Sequence, residues 1–201
     1  FAKFIAYHPH CTAKIIITRG RGGRGYLPDT QAEPQCYFYA YQTSSHSESY
    51  QLGINSDFLQ QRLGCSPLLA GMKHLNRLEQ VLLRQELAQL AHPEALVRDI
   101  QGRVIEGVFS NIFMIKEAVL YTPDLHQAGV AGVMREHILQ VAHALKWSVC
   151  IQDLYPAQFL AADEVFFCNS MYGIWPVTQI QGTILPKNPL TQHLQAHLYH
   201  V

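Results

Sequence analysis

The chain has 201 residues, 48% of them hydrophobic and 15% charged, enough for one large domain or two small ones with a true core. Fifteen basic residues balance fifteen acidic ones, so no bulk field favours nucleic acid or a membrane surface. No apolar run approaches transmembrane length, and Phe1 to His10 does not read as a signal peptide. Five cysteines without a C-x-x-C pair predict reduced thiols in a cytoplasmic protein. The histidines lack nearby carboxylates in a metalloprotease pattern, so no metal site is expected.

Phe1 to Tyr7 is expected to end a helix. Ala13 to Arg19 is β-branched and reads as a buried strand running into Gly20-Arg21-Gly22-Gly23-Arg24-Gly25-Tyr26. Formally this is a dinucleotide fingerprint, but Leu27-Pro28-Asp29 cannot begin the helix it requires. A single glycine-arginine copy in a neutral protein is also a weak RNA-binding signal. Cys36 to Gln42 alternates, with Tyr37, Tyr39 and Tyr41 on one face. Thr43 to Ser49 reads as a turn, Tyr50 to Ile54 as a strand, and Asp57 to Gly64 as a short helix. Ser66-Pro67 predicts a domain boundary, giving 1–66 and 67–201.

Leu75, Leu78, Val81, Leu82 and Leu90 recur at helical spacing and predict a helix over roughly 75–90 with these residues inward. Lys73 stands before it, behind the apolar run Leu68 to Met72. Cations are disfavoured at a helix start, so the lysine is either solvated in a loop or a desolvated amine fit for nucleophilic chemistry. Short strands follow at Ala95–Asp99, Val104–Glu106, Asn111–Ile115 and Val119–Thr122. Gly129 to Arg135 leads into a helix to about Leu145, with Ile138, Leu139, Val141, Ala142 and Leu145 inward. A strand at Trp147–Ile151, a short helix at Pro156–Ala161 and a strand at Glu164–Cys168 come next. Asn169 and Ser170 interrupt the apolar run before Ile174–Val177, and Pro189–Tyr199 closes as a helix. Many short strands with few helices predict an α+β protein whose second domain is barrel-like.

Gly71-Met72-Lys73-His74-Leu75-Asn76-Arg77-Leu78-Glu79-Gln80-Val81 resembles the cofactor-lysine segment of the aminodeoxychorismate lyase family. That family belongs to fold type IV of the pyridoxal-phosphate enzymes, with the branched-chain and D-amino-acid aminotransferases. The likeness continues through Glu106–Phe113, Gly129–Arg135 and Asp163–Val177 in the same order. It implies pyridoxal phosphate as cofactor, carried on Lys73 as the catalytic amine. It implies Glu106 as the carboxylate facing the pyridine nitrogen. Gly132, Val133 and Met134 would hold the phosphate at a helix start, and Asn169 and Ser170 would complete its cup. Arg19 or Arg24 would clamp a substrate carboxylate. Asn76 is the candidate for the cofactor's 3′-oxygen.

The same resemblance implies a homodimer acting on aminodeoxychorismate in folate synthesis, with no nucleic-acid or membrane partner. A phosphate-binding arginine and an active-site threonine belong to a family segment preceding the point where this chain begins, so the sequence is expected to be a fragment. An aminotransferase on the same scaffold and an inactive binding homologue are the alternatives.

Overall fold

The computed structural model describes residues 1–43, 52–186 and 189–198. The chain divides into two compact units, Phe1–Ser45 and His46–Val201.

In the first unit, α1 (Ala2–Tyr7) precedes β1 (Cys11–Thr18) and β2 (Gln35–Gln42). The strands pair antiparallel from Cys11 opposite Gln42 to Thr18 opposite Gln35. Phe4 packs on Phe38 with ring centroids 5.5 Å apart. Residues 19–34, with Arg19 and Arg24, form the connection between the strands and contain no helix. The dinucleotide fingerprint therefore lacks its helix, as expected.

The second unit begins with β3 (Ile54–Ser56) and β4 (Phe58–Leu63), which continue through Asp57. Of the strand expected at Tyr50–Ile54, Tyr50 and Gln51 lie outside the described residues, as does most of the turn expected at Thr43–Ser49. The helix expected at Asp57–Gly64 is a strand instead. Phe58, Leu59 and Leu63 are buried, and β4 runs parallel to β5 (Leu96–Asp99), which pairs with β6 (Val104–Gly107). Tertiary pairing overrides the local pattern here. β3 and β4 thus join strands from beyond Pro67, so the boundary expected at Ser66-Pro67 lies inside this unit.

β7 (Asn111–Lys116), β8 (Val119–Pro123), β9 (Ser148–Gln152), β10 (Glu164–Asn169), β11 (Gly173–Ile180) and β12 (Thr183–Ile184) complete the strands among the described residues. They run in the order β12-β11-β10-β7-β8-β9, and β3 also pairs with β11. Leu154, just past β9, bridges to Val104 at the start of β6. The path β3, β11, β10, β7, β8, β9, Leu154, β6, β5, β4 therefore returns to β3, a barrel-like ring as expected.

Alternation along the strands sorts side chains to its two faces. One face contributes Phe58, Leu96, Val104, Ile112, Met114, Val165, Phe167 and Trp175 to a common core. The opposite face of β7 and β10 supplies Phe113, Ile115, Phe166 and Cys168. These meet Ile138, Val141 and Ala142 of α3 (Val133–Ala144) and Leu194 of α5 (Pro189–His197). A third cluster sets Leu59, Val97 and Ile105 against Leu83 and Leu87 of α2 (Leu78–Leu90). A short helix, α4 (Pro156–Leu160), adds Phe159 to the first core.

α2 corrects the sequence reading in two ways. It starts at Leu78 and not Leu75, and Leu75, Leu78, Val81 and Leu82 are exposed while Leu83 and Leu87 are buried. Leucines occupy both of its faces, so periodicity alone could not choose the inner one.

Candidate active site

Lys73 lies in a bend between two anchors. On its N-terminal side Gly71 makes a parallel bridge to Val130: its N–H donates to Gly129 O (3.0 Å) and its carbonyl accepts from Ala131 N (2.9 Å). On its C-terminal side Arg77 folds back, its guanidinium donating to His74 O (2.8 Å) and Met72 O (3.1 Å). The lysine is exposed, not desolvated, and the helix begins five residues later. A cavity of about 290 Å³ opens beside the bend, with Asn76, Arg77, His74 and Gly129 in its wall.

Glu106 lies in β6, one residue before its end, inside the protein and 5% exposed. One carboxylate oxygen accepts from Val130 N at 2.8 Å, on the same segment that is stitched to Gly71. Burial pushes its carboxyl up to about 7, and repulsion from Glu94 adds to this; the Val130 bond and the charges of Arg77 and Lys73 oppose it. Lys73 and Glu106 are thereby brought to one locality through residues 129–131.

That segment runs directly into α3. Gly132 is its N-cap with extended backbone and no side-chain cap. The amides of the first turn thus converge where an anion is favoured. Asn111 shapes the approach: its amide nitrogen donates to Val130 O (2.7 Å), and a Cβ at Gly132 would collide with its Oδ1. Arg135, buried one turn in, ties the helix start to β8 through Thr122 Oγ1 and Pro123 O. A second cavity, of about 550 Å³, borders Gly132, Val133 and Arg135.

Asn169 and Ser170 lie at the end of β10. The Asn169 side-chain Oδ1 accepts from Met171 N (2.9 Å) and Tyr172 N (3.1 Å), and its Nδ2 donates to Phe109 O (3.3 Å). Its side chain is thus occupied in shaping its own turn, whereas Ser170 is exposed. Arg19 and Arg24 belong to the first unit.

Three residues escaped the sequence reading. Glu94 is fully buried and holds the residues that follow Glu106; an acid beside the apolar run Ala95-Leu96-Val97 was the available signal. Asn111 opens an apolar strand, a position where a polar side chain needs a partner. Arg77 carries charge to Glu106 and fixes the lysine bend, a role that helical spacing cannot reveal.

A family model, amino-transferase class IV, matches residues 3–180. The aminodeoxychorismate lyase of Vibrio harveyi is 38% identical over 190 residues, covering 92% of this chain and 70% of that protein. The crystal structure of 4-amino-4-deoxychorismate lyase from Pseudomonas aeruginosa superposes with a TM-score of 0.94 at 42% identity, covering 98% of this chain and 74% of that one. A T.th. branched-chain amino acid aminotransferase, solved with pyridoxamine 5′-phosphate, has a TM-score of 0.84 at 20% identity, with 98% and 67% covered. That likeness concerns the fold alone.

Proposed function

Because the chain belongs to the amino-transferase class IV family, whose members use pyridoxal phosphate, we propose that it converts 4-amino-4-deoxychorismate to 4-aminobenzoate and pyruvate. The observation that carries the site assignment is Glu106, a buried carboxylate joined through Val130 to both the lysine bend and the start of α3.

The residues fit the cofactor. Glu106 forms no ion pair among the described residues, and a protonated ring nitrogen supplies the positive partner that burial leaves it needing. Gly132 caps α3 without a side-chain cap, so a phosphate at this helix start would be held on the first-turn amides of Val133 and Met134. The Ser170 hydroxyl adds a donor, and Asn169 keeps that turn in shape.

When bound, pyridoxal phosphate supplies an aldehyde that condenses with amines and a ring that accepts the electron pair left on carbon when a proton departs. Lys73 would hold the cofactor through its side-chain amine, and the same amine would take the proton from the amine-bearing carbon of the substrate. Glu106 would face the ring nitrogen and hold a proton there. Loss of the enolpyruvyl group leaves an aromatic ring, and the enol gains a proton to become pyruvate. No external oxidant or amino acceptor enters the balance.

The reading extends to Arg19 or Arg24 as the cation for a substrate carboxylate, and to a cytoplasmic homodimer whose product serves folate synthesis. The exposed leucines of α2 support self-association. Among the described residues no helix is long and apolar enough to cross a membrane, and the five cysteines are free.

The test is turnover of aminodeoxychorismate without a keto acid. Equal amounts of 4-aminobenzoate and pyruvate are expected over many turnovers. Borohydride reduction of the same sample and peptide mapping should find the cofactor on Lys73. Sustained amino transfer from D-alanine or a branched-chain amino acid to 2-oxoglutarate, with no aromatic product, would overturn the lyase reading. Label on another lysine would overturn the assignment of Lys73.

A further inference from the structure

We infer that Glu94 is a positioning residue, which clamps the turn 107–110 and thereby sets the place of Glu106. The inference rests on the proposed role of Glu106 at the cofactor.

Glu94 lies between α2 and β5 and is 0% exposed. Its two oxygens take four hydrogen bonds. One accepts from Ala95 N (3.0 Å) and Val108 N (2.8 Å), the other from Phe109 N (3.3 Å) and Ser110 Oγ (2.7 Å). Three of those donors belong to the turn that directly follows Glu106. The turn is pressed onto the carboxylate so closely that a Cβ at Gly107 would lie 2.9 Å from Glu94 Cδ. It closes on itself through Gly107 N to Ser110 O (2.7 Å).

The far side of the turn meets the rest of the site. Phe109 O accepts from the Asn169 amide (3.3 Å), and the residue that follows the turn, Asn111, donates to Val130 O (2.7 Å). Val130 N in turn donates to Glu106 (2.8 Å). Glu94 therefore anchors a short piece of chain that touches the carboxylate strand, the loop before α3 and the Asn169 turn. A buried carboxylate whose bonds come from amides and a hydroxyl cannot be replaced by an amide without loss, because an NH₂ group would face donors. Small displacements of a catalytic group cost about 10- to 100-fold in rate.

The experiment compares wild type with Glu94→Gln in two measurements. In the cofactor-free protein, exchange of the Val108 and Phe109 amides is expected to quicken at least about tenfold. In the loaded enzyme, kcat is expected to fall about 10- to 100-fold while KM stays within about twofold. Unchanged exchange, or faster exchange with unchanged kcat, overturns the inference. A fall shared by kcat and thermal stability alone, with turn exchange unaltered, overturns it too. If Glu94→Gln fails to fold, Ser110→Ala removes one donor and decides instead. Faster turn exchange with at least about threefold lower kcat supports the role, and wild-type values overturn it. Should wild type make no product, the proposed function fails, while the exchange measurement still decides whether Glu94 holds the turn.

Discussion

Two carboxyl groups, Glu94 and Glu106, sit in the interior with raised proton affinity, both at about 7 because burial disfavours the charged form. In the unfolded chain each releases its proton near the ordinary value of 4.5. Between these limits the folded protein holds more protons than the unfolded one, so stability falls as pH rises. For Glu106 the contribution is fully present below about 4.5 and lost as pH passes about 7. We predict that cofactor-free Glu106→Gln lacks this share of the slope, up to about 3 kcal/mol between pH 4.5 and 7.5. Urea denaturation at both pH values measures it, and equal slopes for variant and wild type would show that Glu106 ionises freely in the fold. The place of Glu106 in a short strand beside Gly107 was legible in the sequence. Its burial was not, since neighbours from distant parts of the chain create it.

The loop 128–132 links the bend at Lys73, the Glu106 carboxylate and the start of α3. Gly129 adopts φ +88°, and a Cβ there would lie 2.6 Å from Ile105 Cγ2 and 2.9 Å from Leu125 Cδ2. Positive φ costs a non-glycine residue about 1 kcal/mol, and overpacking adds about 1–3 kcal/mol. Gly129→Ala is therefore expected to destabilise by about 2–4 kcal/mol in chemical denaturation and to weaken cofactor binding, because Val130 and Gly132 follow it. A change below about 0.5 kcal/mol would show that the loop yields readily. The glycine and the helix start after it were visible as a pattern. Their junction with Gly71 was not, because a parallel bridge between residues 59 positions apart leaves no local mark. β4 makes the same point: its Gln60 and Gln61 amides are satisfied by the Glu86 carboxylate of α2, a partner that local propensity does not contain.

At the scale of the molecule, α2 and the turn before it leave Leu75, Leu78, Val81 and Leu82 exposed, away from the buried Leu83 and Leu87. Leu78, Val81 and Leu82 stand at i, i+3 and i+4 on one side of the helix, and exposed apolar side chains so spaced favour association. For the proposed homodimer, Leu78→Asp is expected to raise the dimer dissociation constant at least about tenfold, because a charge would be buried on assembly. Sedimentation velocity over a concentration series reads this, and an unchanged dissociation constant would place the contact elsewhere. The sequence by itself determined the class of fold, most of the strands after residue 90, and the chain order of Lys73, Glu106 and the glycine turn that starts α3. Those are carried by β-branched runs, glycine punctuation and a local segment, Gly71 to Val81, that resembles a family's cofactor-lysine segment. Only the tertiary structure decided which face of α2 is inside, that Phe58–Leu63 is a strand, and that Glu94 binds the turn after Glu106, Asn111 the Val130 carbonyl and Arg77 the bend at Lys73. All but the last depend on a partner far along the chain, and burial, pairing and charge between distant residues become definite only when the ring of strands closes.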